Sequence, residues 1–563
     1  MPDDWISTIW ALLNWIFHAS VYPASWTFLK LTVLFKNGDR QKCENYRGIS
    51  VMNSLGKVYD YILTKRLEKW FVPLREQAGA QKGRSCIEQI VTLRLVIDYA
   101  RSKKMKLFCV FVDFSKAYDR VPRNILFELL RKAGCGNTML SALIAMYKIT
   151  HFILRSASIH TSLGVKQGSP SSCILFTFLI NEFVKLLKER CCEDGFLKWL
   201  HCLILMDDTV ILSTSRERCE QKLGILNTFC DMSGTIINAK KTKFFVINGN
   251  EYDGQPIMCG NNRIDLCKEY VYLGSIFVAD GSIKSSITSH AKAKSCHFMK
   301  FVSFIRNNPD VPFPVKQLVL DAALISSLMY GVEGWLTKDL RCIESVYMNC
   351  IKTLLGVRQT TCNDICLIEP HHPPFKDFVM QRFFSNMMES RANMTDDPFM
   401  FCLNLAQETN TRAGRYITSL LKYPNDYFTV ENSIKRLNVN IRIKARDSYK
   451  REVYIRMNPQ LKCHPVYKAT NIDDYKRIQF TCLRMSSHNL MVEKGRWSRI
   501  PRESRKCPCG GVQTEQHVIE ECNLASDIKA KYALIYKIDD LFSCDLYDTV
   551  NFCFELCNMY SRM

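Results

Sequence analysis

The stretch Leu203-Ile204-Leu205-Met206-Asp207-Asp208-Thr209-Val210-Ile211-Leu212 sets two carboxylates side by side between two apolar runs. Two short apolar runs around a polar pair predict a β-hairpin, with Asp207 and Asp208 at its tip. Tight hairpins favour residues that accept positive φ, such as Asn-Gly or Asp-Gly. Adjacent like charges repel unless a cation sits between them and a third ligand, so this hairpin asks for a metal. A third carboxylate is available: the strand Leu107-Phe-Cys-Val-Phe-Val112 ends in Asp113, 94 positions before Asp207. Alone, an aspartate at a strand end is more often a turn residue or helix cap than a ligand. If the two strands are neighbours in one antiparallel sheet, three carboxylates converge where hard divalent cations bind. Mg²⁺ prefers such oxygen ligands and leaves coordination positions for phosphate. Two such ions clamping the attacking and leaving oxygens are the known solution for in-line nucleotidyl transfer.

The composition agrees. The chain has 563 residues, 47% of them hydrophobic, enough for several domains and a substantial core, which excludes a disordered tail. Lys and Arg total 76 against 55 Asp and Glu, a net charge of +21. The excess is dispersed in short groups such as Arg101-Ser-Lys-Lys104 and Lys240-Lys-Thr-Lys243. Dispersed cations suit a phosphate backbone better than one small acidic ligand; the plainer alternative is a soluble basic protein. The 26 cysteines are scattered, often inside apolar runs (Cys109, Cys173, Cys202), and no secretory signal precedes them, so a reducing compartment is expected. The apolar stretch Ile6 to Phe17 follows Asp3-Asp4 rather than a basic region and is too short to span a bilayer; it reads as a packed helix. Nucleus and cytoplasm, with no membrane partner, are the expected locations.

The motifs, taken in order, resemble those of the reverse transcriptases of non-LTR (LINE-type) retrotransposons. Phe111-Val-Asp-Phe-Ser-Lys-Ala-Tyr-Asp-Arg-Val121 looks like the first catalytic motif of that family, Gln167-Gly-Ser-Pro170 the second and Leu205-Met-Asp-Asp-Thr-Val-Ile-Leu212 the third. Upstream, Asn45-Tyr-Arg-Gly-Ile-Ser50 and Gln77-Ala-Gly-Ala-Gln-Lys-Gly-Arg-Ser85 resemble its finger motifs. Downstream, Asn238-Ala-Lys-Lys-Thr-Lys243, Tyr272-Leu-Gly274 and Tyr330-Gly-Val-Glu-Gly-Trp335 also fit. The resemblance implies an α+β right-hand polymerase that extends a primer DNA on a template RNA with deoxynucleoside triphosphates. It places two Mg²⁺ ions on Asp113, Asp207 and Asp208, and puts Tyr118 under the sugar of the incoming nucleotide, where an aromatic ring leaves no room for a 2′-hydroxyl. Gly168 of Gln167-Gly168 permits close backbone approach to a base or sugar. Ser169 reads as the N-cap and Pro170 as the first residue of the following helix. Lys36 and Arg47 resemble finger residues that clasp the triphosphate, although Lys36 also reads as a solvated loop lysine. Lys241 matches the lysine that protonates the leaving pyrophosphate, with Lys240 and Lys243 near enough to confuse the assignment.

The implied layout is an N-terminal helix (1–20), fingers and palm (21–280, the palm from 107, with part of 121–165 in the fingers), a helical thumb (285–360), a basic helical region (361–495), a zinc knuckle (496–525) and a tail (526–563). Residues 200–280 read as alternating strands and turns. Cys507, Cys509, His517 and Cys522 offer four zinc-type ligands, the last two spaced for one helical turn or slightly more. The first pair is tighter than the common gap, and the alternative is two core cysteines with a helix histidine; the family's C-terminal knuckle favours structural Zn²⁺. Departures from the family pattern are Ser171, Ser172 and Cys173 after Pro170, which alter the helix entry, and Met206 before the aspartates. Larger members carry an endonuclease ahead of the polymerase; none precedes the finger motifs here, so the expectation is a truncated copy or an endonuclease supplied as a separate partner. The rival readings are a catalytically silent or domesticated RNA-binding derivative, and an intron maturase or telomerase-type polymerase. Three intact carboxylates oppose the first, and the terminal Cys/His cluster opposes the second.

Overall fold

The computed structural model describes residues 3–562 apart from 37, 156, 394–396 and 425. The chain divides into two compact units, Met1–Ser282 with Met388–Tyr416, and Ile283–Met387 with Ile417–Met563. The region 361–495, read from the sequence as one helical stretch, is thus shared between them.

The first unit opens with α1 (Asp3–Ala19), then β1 (Phe28–Phe35), β2 (Tyr46–Val51), α2 (Ser54–Trp70), α3 (Cys86–Ser102), β3 (Leu107–Val112), α4 (Arg123–Lys132), α5 (Asn137–Lys148), β4 (His151–Leu154) and β5 (Ala157–His160). It continues with α6 (Pro170–Arg190), β6 (Cys202–Leu205), β7 (Asp208–Ser213), α7 (Arg216–Ser233), β8 (Lys243–Ile247), β9 (Ile257–Cys259), β10 (Asn262–Leu266), β11 (Glu269–Tyr272) and β12 (Ser275–Val278). A six-stranded sheet runs in the order β6-β7-β3-β8-β10-β9. β3 lies inside it, antiparallel to both β7 and β8, and all six of its residues are buried. Alternate side chains point to opposite faces of a strand. Phe108, Val110 and Val112 join one cluster with Ile174, Phe176 and Ile180 of α6 and Leu223 and Leu226 of α7. On the other face Phe111 stacks on Tyr270 of β11 at 4.2 Å and touches Phe245 and Tyr272. Cover on both faces is why β3 reads as an unbroken apolar run rather than an alternation. A second sheet runs in the order β2-β1-β4-β5, and the Ser50 N–H of β2 donates to the carbonyl of Gln167, in the segment that leads into α6, at 2.8 Å.

Two expectations need correction, and one helix has no counterpart in the sequence reading. Residues 200–280 are not only strands and turns, because α7 interposes 18 residues. The Ser215 hydroxyl caps it by accepting from the Arg218 N–H, and Gly234 at φ +67° ends it. Its Cys219, Leu223, Leu226 and Cys230 recur at helical spacing, so the signal was present in the sequence. α3 was harder to see, since buried residues occupy almost every side of it and leave no amphipathic stripe. α1 is only partly packed: Leu13 and Ile16 are buried, whereas Trp5, Trp10 and Trp15 are exposed.

The second unit is mostly helical, from Ile283–Asn307 to a final helix Leu546–Arg562, and contains the Cys/His cluster. Two helical stretches, Pro170–Arg190 and Phe313–Trp335, are long and apolar enough to cross a bilayer by length and composition. The first is α6, whose side chains fill the core of its own unit. No disulfide forms among the described residues.

Candidate functional site

The strand register brings the carboxylates together. β3 pairs with β7 up to Val112↔Thr209, so Asp113, one residue further, comes opposite Asp208. Within the hairpin Leu205 pairs with Asp208, leaving Met206 and Asp207 as the two turn residues. Only Asp207 is therefore in the turn proper; Asp208 begins the strand. Met206 takes the positive φ, +58°, that a glycine or asparagine would take more easily. The strain is braced from another part of the chain. The Gln77 side-chain oxygen accepts from the Met206 N–H at 3.2 Å and the Gly79 N–H at 2.7 Å. The Ala78 N–H donates to the Ile204 carbonyl at 2.8 Å. Gly79 lies so close that a Cβ there would meet the Met206 nitrogen at 2.8 Å. Gln77 and Gly79 were legible as part of a finger motif, but nothing local revealed that they hold the carboxylate turn.

Withdrawal from water raises the Asp207 pKa, and the Asp113 charge adds to this; a backbone hydrogen bond and the cations of Arg47 and Lys36 oppose it. Asp208 keeps an exposed edge, yet desolvation of its inner side, followed by the charges of Asp207 and Asp113, pushes it up to about 6. Asp113 is held by its backbone: its N–H donates to the Thr242 hydroxyl at 3.1 Å, and its carbonyl accepts from the Asn238 N–H at 2.8 Å. The same clip brings the exposed Lys241 ammonium to 3.9 Å from the Asp113 carboxylate. Lys243 turns instead to Asp265 at 3.0 Å, which separates the two lysines.

Tyr118 lies in the short turn Ala117–Arg120 and stacks on Phe176 of α6, centroids 4.7 Å apart. Burial raises its hydroxyl pKa, with Cys173 and Asp207 contributing, so it both packs and borders the carboxylates. The Gln167 amide donates to Asp119 at 2.7 Å. Gly168 sits at φ +104°, and a Cβ there would lie 2.8 Å from the Ser50 carbonyl. The close approach that requires glycine here is thus made by β2. Pro170 is the first residue of α6, as expected, but Ser169 does not cap it: its hydroxyl bonds the buried Asp60 carboxylate of α2. Behind this turn burial raises Asp60 and pushes the Lys166 ammonium down to about 7, the latter donating to the Met146 carbonyl at 2.9 Å. Sequence reasoning missed both, since Asp60 and Ser169 are 109 positions apart. Lys36 follows β1, Arg47 pairs with Leu34 across β1 and β2, and both are exposed and act on Asp207.

In the second unit Cys507, Cys509, His517 and Cys522 offer ligand atoms all within 4.8 Å of one another. Cys507 and Cys522 sulfurs are 3.7 Å apart, those of Cys509 and Cys522 3.5 Å, and Cys509 lies 3.1 Å from His517 Nε2. Two thiolates on one tetrahedral zinc, each about 2.3 Å from the metal, stand about 3.8 Å apart, so the spacing fits. His517–Glu521 is a π turn, closed by the Cys522 N–H on the His517 carbonyl at 2.9 Å; this sets positions five apart on one face. His517 Nδ1 lies 3.2 Å from Glu521, which orients Nε2 toward the sulfurs. Gly511 leaves room for the ring, since a Cβ there would come within 2.6 Å of it.

The profile of the reverse transcriptase (RNA-dependent DNA polymerase) family matches residues 35–299. The Pol polyprotein of the type-1 retrotransposable element R2 of Popillia japonica is 22% identical over 430 residues, 72% of this chain and 59% of that protein. A putative 115 kDa protein in the type-1 retrotransposable element R1DM of Drosophila melanogaster is 24% identical over 267 residues, 46% of this chain and 25% of that one. The chain therefore spans less than two thirds of the length of these relatives. Among solved structures, apo telomerase from Candida tropicalis aligns with a TM-score of 0.35 at 14% identity, covering 75% of this chain and 72% of that one. Residues 35–299 thus match the reverse transcriptase family, and the chain as a whole is similar to proteins of the R2 and R1 retrotransposable elements.

Proposed function

We propose that the chain is the RNA-directed DNA polymerase of a non-LTR retrotransposon, extending a DNA primer on an RNA template. The observation that carries this reading is the convergence of Asp113, Asp207 and Asp208 at one sheet end, two of them with raised pKa values. Among the described residues Asp207 and Asp208 have no ion pair, and Asp113 has only the distant Lys241, so the set fits divalent cations. Bound there, two Mg²⁺ ions would neutralise charge on the attacking and leaving oxygens.

The remaining roles belong to the chain's own side chains. Arg47 and Lys36, cationic and on the side from which they act on Asp207, hold the triphosphate. Tyr118, stiffened by its stack on Phe176, excludes a 2′-hydroxyl from the sugar site. Gln167 and Gly168, held against β2, position the template–primer end beside it. Lys241, beside Asp113, delivers a proton to the departing pyrophosphate. In this reading the second unit supplies the thumb and a zinc knuckle on Cys507, Cys509, His517 and Cys522, whose spacing supports it. A separate endonuclease would nick the target, and the protein works in the nucleus and cytoplasm.

The test is incorporation of labelled deoxynucleotides on primed RNA with Mg²⁺. Extension should be lost in Asp207→Ala while binding of the primed RNA persists. Extension retained by the variant would end the site assignment; a folded wild type that binds but never extends would favour the silent derivative.

A further inference from the structure

A cavity of about 230 Å³ opens in the second unit, walled in part by Arg358, Gln479, Cys482, Asn489, Tyr560 and Ser561. It is smaller than the ~300–1,000 Å³ clefts that take drug-sized ligands, and suits a group such as one sugar-phosphate. Arg358 decides its chemistry. The guanidinium lies over the indole of Trp497, 4.0 Å from the ring centroid. One terminal nitrogen donates to the Asn489 side-chain oxygen, and the backbone N–H donates to the Ser487 hydroxyl at 3.0 Å. The other terminal nitrogen, Nη1, is buried and has no hydrogen-bond partner among the described residues. Nearby Glu493 is engaged by Lys450 at 2.6 Å and Arg496 at 3.1 Å. A buried guanidinium donor without an acceptor is a place for an anion, and the planar fork matches phosphate oxygens.

The surface beside it is of the same kind. Arg496, Arg499, Arg502 and Lys506 are exposed and flank Trp497 in the chain, Arg502 lying over the Tyr449 ring at 4.3 Å, with Glu503 the single acid between Lys494 and Lys506. Trp497 itself stays 47% exposed although Arg358 covers one side. A fixed aromatic face among cations is how single strands are held without sequence preference: the bases stack and the phosphates find the charge. We propose that this cavity takes one sugar-phosphate of a single-stranded nucleic acid, Arg358 binding the phosphate and Trp497 stacking the neighbouring base. The inference rests on the polymerase reading only for the class of polymer.

The experiment uses the full chain and a single-stranded RNA carrying 4-thiouridine, with photoadducts mapped by peptide mass spectrometry. An adduct is expected on the peptide holding Trp497, reduced about fivefold or more in Arg358→Ala and Trp497→Ala, with adducts inside residues 35–299 unchanged. Trp497→Phe, which keeps an aromatic face, should retain it. If Arg358→Ala fails to fold, Arg358→Lys, which keeps the charge and loses the fork, should show the same loss. The same adduct with single-stranded DNA supports the site. Absence of the adduct in wild type, or indifference to Arg358, overturns it; so does its erasure by millimolar inorganic phosphate alone, which would assign the cavity to a small anion. Asp207→Ala should abolish extension and leave this adduct, so either reading can fail without the other.

Discussion

Replacing Gly79 by alanine should disarm the carboxylate hairpin without touching a carboxylate. The added Cβ would meet Met206 Sδ at 2.7 Å, the Gln77 side-chain oxygen at 2.8 Å and the Met206 backbone nitrogen at 2.8 Å. The first two belong to side chains that can swing away. The third cannot, because the Met206 N–H is tied to Gln77 and the residue already sits at φ +58°. Forcing a methyl into such a contact costs about 1–3 kcal/mol. If the hairpin shifts to relieve it, Asp207 and Asp208 shift too, and a misplacement of about 1 Å at a reacting centre costs about 100-fold in rate. Primer extension should therefore fall by about two orders of magnitude, with a thermal midpoint lowered by only about 2–4 °C per kcal/mol of strain. Gly224 is the internal control: it lies within α7 with nothing within 4 Å of its would-be Cβ. Gly224→Ala should leave extension intact and stabilise by about 0.5–1 kcal/mol. Wild-type extension by Gly79→Ala, or equal damage from Gly224→Ala, would refute the bracing argument.

Three further outcomes are expected. Asp194 is buried against Lys222 at 2.5 Å and also accepts from Arg218 at 2.9 Å; Asp194→Asn should cost about 3–5 kcal/mol by stranding the lysine, and Lys222→Met added to it should recover part of the loss in thermal unfolding. Burial lowers His201, His290 and His464 to about 4 from the usual 6.5. Their folded-state stability is therefore full above pH 6.5 and lost as pH falls toward 4. Unfolding free energy should decline there by about 1.4 kcal/mol per pH unit per proton taken up, and a flat profile would contradict their burial as neutral rings. Purified protein should carry zinc that Cys507→Ser and His517→Ala remove, lowering the thermal midpoint; native protein without zinc would end that assignment.

Local sequence sufficed for the pieces of this protein whose signal is carried by neighbours in the chain. β3 is a six-residue apolar run ending in Asp113, and the hairpin is two apolar runs around Met206 and Asp207. Pro170 at the start of α6 follows from backbone geometry alone. The ordered motifs then implied the chemistry of Asp113, Asp207 and Asp208. What only the tertiary structure decided is how these pieces are held. The pairing of β3 with β7 sets Asp113 opposite Asp208; Gln77 and Gly79 brace Met206; Ser50 crowds Gly168; and Asp60 takes the Ser169 hydroxyl from its expected cap. Each of these contacts joins segments far apart in the chain, and hydrogen bonds and van der Waals contacts act over a few ångströms, so no local pattern encodes them. The hairpin's strained turn is readable as a sequence oddity. The reason it persists lies in contacts made only after the chain has folded.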